Sequence, residues 1–83
     1  MVVILDIEYS KDAIKAMKRI DKPTRNRIAT GIKKLPLGDI KKLRGFSNYY
    51  RLRVGDYRIL FQLLDNGITV IDVLPRGEAY KNL

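Results

Sequence analysis

The sequence predicts an α+β fold of order β-α-α-β-β-β, an antiparallel sheet with a two-helix hairpin packed on one face. Three observations point to it. Residues 2–7 (Val-Val-Ile-Leu-Asp-Ile) are apolar and β-branched, which is strand chemistry. Residues 11–35 then carry apolar side chains at helical spacing, interrupted once by Asp21-Lys22-Pro23. From Tyr49 the hydrophobic period drops to two and holds to Leu74. With 83 residues, 46% of them hydrophobic and 31% charged, the chain is expected to form a single domain over residues 1–83.

Each element has its own signal. Ser10 is a good N-cap for the first helix, and Asp12 in its first turn suits the helix dipole. Ala13, Ile14, Met17 and Ile20 form the apolar stripe of residues 11–20. Asp21-Lys22-Pro23 reads as a breaker, and Thr24 as the second N-cap. Ile28, Ala29, Ile32 and Leu35 mark the buried stripe of the second helix, which stops by Pro36 and Gly38. Its outer face carries Arg25, Arg27, Lys33 and Lys34. Residues 39–48 read as a basic connector with Lys41, Lys42 and Arg44, turning at Gly45. Tyr49–Val54, Tyr57–Leu64 and Ile68–Leu74 read as three strands, with Gly55-Asp56 as a type I′ or II′ hairpin loop and a second turn at Asp65-Asn66-Gly67.

The charge is uneven. The formal net charge is +8, but residues 11–58 alone hold fifteen Lys/Arg against four Asp, a local +11. A basic middle with slightly acidic ends points to an anionic partner: nucleic acid, an acidic protein segment or a membrane surface. Cys and His are both absent. That excludes a disulfide framework, a Cys-based zinc site, a thiolate nucleophile and any histidine-based catalytic mechanism. No stretch approaches the roughly 20 apolar residues of a membrane span, and no signal-peptide pattern opens the chain, so a cytoplasmic location without membrane association is expected.

Register places the arginines. A two-residue loop at Gly55-Asp56 pairs Arg53 with Arg58 and Arg51 with Leu60. Tyr50, Leu52, Val54, Tyr57, Ile59, Phe61 and Leu63 then share the core face. Tyr49, Arg51 and Arg53 share the other with Arg58, Leu60 and Gln62. Like charges directly opposed weaken a sheet by roughly 0.2–1 kcal/mol, so the Arg53–Arg58 pair calls for a reason beyond folding. Either the long side chains splay into water, or planar guanidiniums are gathered to bind phosphate. The second turn admits two registers. An Asn66-Gly67 loop turns Asp72 into the core. A three-residue Asp65-Asn66-Gly67 loop, with Gly67 left-handed, pairs Leu64 with Ile68, Phe61 with Ile71, Leu60 with Asp72 and Ile59 with Val73. The second is preferred because it buries no unpaired carboxylate. It brings Arg76 to the side of Arg51, Arg53 and Arg58, with Asp72 as counter-charge.

The segment Lys42-Leu43-Arg44-Gly45, followed by Tyr50-Arg51-Leu52-Arg53-Val54-Gly55-Asp56-Tyr57-Arg58, resembles the RelE/ParE family of bacterial and archaeal toxins. So do the order of elements and the closing Leu74-Pro75-Arg76-Gly77-Glu78-Ala79-Tyr80. The resemblance implies a RelE-like toxin of a type II toxin-antitoxin system: a metal-independent, cofactor-free endoribonuclease that enters the ribosomal A site and cuts mRNA. Carried over residue by residue, it implies catalytic Arg51, Arg53, Arg58, Arg76 and Tyr80. Lys41, Lys42, Arg44 and Tyr49 are the expected RNA-binding residues. Tyr80 could instead be a C-terminal anchor packed on the sheet. Glu78 and Tyr80 are the nearest groups able to move protons, since arginine is a poor base at neutral pH. The implied partners are the 70S ribosome with its mRNA and a cognate antitoxin, acidic and partly disordered before binding, the free toxin being a monomer. The alternative is a ParE-type toxin that inhibits DNA gyrase and cuts nothing.

Overall fold

The computed structural model describes residues 6–35, 37–45 and 47–76. Its elements are β1 (Asp6–Tyr9), α1 (Lys11–Arg19), α2 (Lys22–Lys33), β2 (Asp39–Lys42), β3 (Tyr49–Val54), β4 (Tyr57–Leu64) and β5 (Gly67–Pro75). The strands form one sheet in the order β1-β5-β4-β3-β2. The α+β class and the helix pair on one face are as the sequence predicts. The sheet is mixed rather than wholly antiparallel, because β1 lies parallel to β5. Val2–Leu5 of the expected first strand lie outside the described residues.

The helices form where their caps put them. The Ser10 hydroxyl accepts the Ala13 amide at 3.1 Å and starts α1. The second cap is Asp21, not Thr24: its carboxylate accepts the Thr24 amide at 3.1 Å and the Thr24 hydroxyl at 2.9 Å. Pro23 falls in the first turn of α2, where a missing amide hydrogen costs nothing because that donor has no helical partner. The tripeptide that reads as a breaker is therefore a helix start, and only Ile20 and Asp21 separate the two helices. Arg25, expected on the outer face, is half-buried and donates from Nη2 to the Ile20 carbonyl at 2.8 Å, holding that tight junction. Ile14, expected in the stripe, is 44% exposed.

The core lies between the helices and one face of the sheet. Ala13, Ile20, Ile28 and Ile32 meet Leu52, Ile59, Phe61, Ile68, Val70 and Val73 there. Tyr50 and Phe61 stack across β3 and β4 with centroids 5.5 Å apart. The sheet residues of β3 and β4 are those assigned to the core face by period two.

The β3–β4 register agrees with expectation at every pair, including Arg53 opposite Arg58. Gly55 has φ +56 and Asp56 does not share a positive φ, the signature of a type II′ turn. The second hairpin differs. Leu64 pairs with Gly67, so the loop is Asp65-Asn66 alone. Gly67 is not left-handed. A Cβ there would stand 2.6 Å from the Asp6 carbonyl oxygen, so the glycine serves the close approach of β1. A bulge then restores the phase: Phe61 pairs with Val70, Leu60 with Asp72, and Ile71 is the extra residue. The Ser10 hydroxyl donates to the Ile71 carbonyl, so one side chain both caps α1 and satisfies the bulge. Leu60–Asp72 and Ile59–Val73 hold as expected, although the loop is one residue shorter.

Candidate functional site

The helices cover one face of the sheet, and the other carries the arginines. Residues 39–42, expected as connector, form β2 and pair antiparallel with β3: Asp39 opposite Arg53 and Lys41 opposite Arg51. This short, lysine-rich strand lies at the sheet edge, where lysine discourages pairing with other chains. It walls a groove of about 580 Å³ with Arg51, Arg53 and Arg58 on the adjacent strands and Lys41, Lys42 and Arg44 on the near side. Three of the expected catalytic residues and three of the expected RNA-binding residues thus share one cavity.

The arginines in it are not equivalent. Arg51 has a side chain only 14% exposed, and its Nη1 lies 3.5 Å from Asp39 Oδ1. The same nitrogen is 3.5 Å from the Asp39 carbonyl oxygen. Its cross-strand partner is Leu60, 5% exposed yet apart from the core cluster under the helices. An arginine and a leucine opposed on a face without helices can shield one another, the apolar stem of the first lying along the second. Arg53 is exposed and makes no ion pair among the described residues. Arg58 is half-buried, and its Nη1 donates at 3.3 Å to both the Gly55 and Tyr57 carbonyls, so the hairpin turn itself holds the guanidinium.

Other expected site residues stand apart. Tyr49 is on the same face, opposite Gln62, and does not line the groove. Arg76 extends the β4–β5 ladder past Pro75: its amide donates to the Asp56 carbonyl at 2.6 Å, which puts it at the tip of the first hairpin. It does not line the groove either. Glu78 and Tyr80 lie outside the described residues. Asp72, expected as the counter-charge, is not the partner of Arg51. It accepts the Val73 amide at 2.8 Å and opens into a separate groove beside α1, with Lys15 and Arg19. The carboxylate that faces the arginines is Asp39, which sequence reasoning missed together with β2. The available signal was a lone acid in a basic stretch. No helix of the described residues is long and apolar enough to cross a membrane.

Comparisons with known proteins bear on the family and the fold. Residues 7–80 match the ParE toxin of type II toxin-antitoxin systems, parDE. Toxin RelE3 of Methanocaldococcus jannaschii is 36% identical over 87 residues, covering 92% of this chain and 96% of the relative. A chain of the RelB-RelE antitoxin-toxin complex from Methanococcus jannaschii superposes with a TM-score of 0.70 at 34% identity, covering 82% of this chain and 88% of that one. The archaeal RelE-RelB complex from Pyrococcus horikoshii gives a TM-score of 0.75 at 27% identity, covering 90% of this chain and 98% of that one. A basic groove on the helix-free face, in a chain related over nearly its whole length to RelE toxins, leads to one conclusion: this protein is a member of the RelE/ParE family, a RelE-type toxin of a type II toxin-antitoxin system.

Proposed function

We propose that the chain is a ribosome-dependent mRNA endoribonuclease whose groove binds the RNA backbone and whose arginines stabilise the transition state. The observation that carries this reading is the Arg53–Arg58 opposition inside a groove where six of seven lining residues are cationic. In the reaction the ribose 2′-oxygen loses its proton and attacks the adjacent phosphorus. The bond from phosphorus to the 5′-oxygen breaks, leaving a cyclic phosphate and a free 5′-hydroxyl, and the net proton transfer runs from the 2′-oxygen to the 5′-oxygen. Negative charge builds on the non-bridging oxygens, where guanidiniums already in place stabilise it without reorganisation. Arg58, held by its own turn, takes that role, and Arg76, at the hairpin tip outside the groove, is proposed as a second donor. Arg53 engages the backbone, Arg51 forms the floor, and Lys41, Lys42 and Arg44 extend the phosphate track. Tyr49 and Tyr80 are the proposed base-stacking groups.

The ribosomal A site supplies the positioning, since orientation alone is worth many orders of magnitude in rate. The cognate antitoxin is an acidic segment, disordered before binding, that covers the cationic face of a toxin monomeric when free. Toxin RelE3 and the two archaeal RelE-RelB complexes carry the RelE name, so gyrase inhibition is not the favoured reading.

The test is to map mRNA ends in cells after induction. Cuts inside translated codons are expected. Arg58→Ala is expected to lower cleavage by about 10²–10³-fold, the usual effect of losing one transition-state donor, with an unchanged circular-dichroism spectrum. Unchanged toxicity in both Arg58→Ala and Arg76→Ala would remove the nuclease assignment.

A further inference from the structure

We infer that Asp39 is a positioning residue that holds Arg51 against the sheet and keeps its charge out of the phosphate-contacting set. The groove then offers RNA fewer cations than it contains.

Four observations support this. Asp39 Oδ1 and the Asp39 carbonyl oxygen both face Arg51 Nη1, each at 3.5 Å. The two partners differ in exposure, with Asp39 at 60% and Arg51 at 14%, so the pair turns its acid toward water and its guanidinium toward the protein. Leu60 is 5% exposed on a face that carries no helix, and Arg51 is its cross-strand neighbour there. Arg53, two residues along the same face, is exposed and free of ion pairs among the described residues. Two arginines of one strand and one face are therefore in different states, and the acid on β2 accounts for the difference.

The physical logic is competition. A phosphate that approaches Arg51 must displace a carboxylate already in place and lift an arginine stem off Leu60. At Arg53 it meets an accessible cation. Asp39 also stands directly opposite Arg53 and offsets the Arg53–Arg58 repulsion from the neighbouring strand. A groove so arranged has a floor that does not move when RNA enters, which suits a site that works by preorganisation.

The inference rests on the groove binding RNA, and a double-mutant cycle separates the two ideas. The measurement is the affinity of the full chain for a labelled oligouridine across a range of salt, where each phosphate contact contributes a slope of about 0.7 in log K against log salt. Arg53→Ala is expected to reduce the slope by about that amount. Arg51→Ala is expected to leave it unchanged. Asp39→Asn is expected to raise it by about 0.7 by releasing Arg51, and Asp39→Glu to restore the original value. In an Arg51→Ala background, Asp39→Asn is expected to have no effect. Should Arg51→Ala not fold, Arg51→Met keeps the stem over Leu60 and removes the charge. If Asp39→Asn raises the slope equally with and without Arg51, Asp39 acts only through the general field, and the inference is overturned. If Arg51→Ala lowers the slope as Arg53→Ala does, Arg51 already contacts phosphate, and the inference is overturned as well. If Arg53→Ala leaves the slope unchanged, the groove is not the RNA site, and the proposed function falls with the inference.

Discussion

The two faces of the sheet are built by different forces. The helix-covered face is apolar, with Ile59, Val70, Ile28 and Ile32 at 0% exposure, and it is the source of cohesion. The open face stacks three arginines and a lysine on neighbouring strands, an arrangement that costs stability, and it has no helix to justify it. Within the open face the same contrast recurs on a smaller scale. Arg51 and Leu60 are tucked in and partnered, while Arg53 is exposed. The covered face therefore answers to folding, and under the proposed function the open face answers to binding, with Arg51 belonging in part to the first.

The covered face should be the sensitive one. Ile59→Ala removes a fully buried side chain and is expected to cost about 2–5 kcal/mol, read as a lowered urea midpoint. A cost below about 1 kcal/mol would mean the two faces are less distinct than their burial indicates. Gly67→Ala sets a Cβ 2.6 Å from the Asp6 carbonyl oxygen and is expected to cost about 1–3 kcal/mol, with faster hydrogen exchange along β1 and β5. A neutral result would show that β1 adjusts without strain.

The open face should respond in the opposite sense. Arg53→Ala relieves the opposition with Arg58 and is expected to leave the melting temperature unchanged or to raise stability by up to about 1 kcal/mol, while RNA affinity falls. A clear loss of stability would contradict the division of labour. The smallest effect concerns pH. The Thr24 hydroxyl and amide donate to Asp21 and hold its carboxyl below the ordinary range. Its contribution to stability is therefore complete above the ordinary carboxylate pKa and lost as pH falls through the lowered folded value. Asp21→Asn should lie slightly below the wild type in melting temperature at neutral pH and converge with it in strong acid. A gap that persists at low pH would show that proton binding at Asp21 is not its source.

Much of this was legible in the chain. Period-two alternation gave β3 and β4 with their boundaries, because alternate residues of both strands pack under the helices, although Leu60 is buried on the other face as well. Gly55-Asp56 set the first register, because a two-residue loop leaves no freedom in the pairing that follows. From those two facts came Arg53 opposite Arg58, the centre of the candidate site. The start of α2 is ambiguous in the chain because Pro23 signals both a break and a first turn, and only the Asp21–Thr24 hydrogen bonds distinguish them.

What the sequence determined by itself is therefore local: two amphipathic helices, three alternating strands, one tight turn and a basic middle. Each depends on neighbours a few residues away. Only the tertiary structure decided the rest, because the remaining features depend on partners distant in the chain. Asp39–Lys42 has a single apolar residue, Ile40, and is a strand only because β3 presents unpaired backbone groups to it. Gly67 is small for the sake of Asp6, and the bulge at Ile71 is satisfied by Ser10, 61 positions away. The acid beside Arg51 comes from that same strand. Side-chain alternation can place an arginine on a face, but whether its charge is free depends on which acid the fold brings beside it.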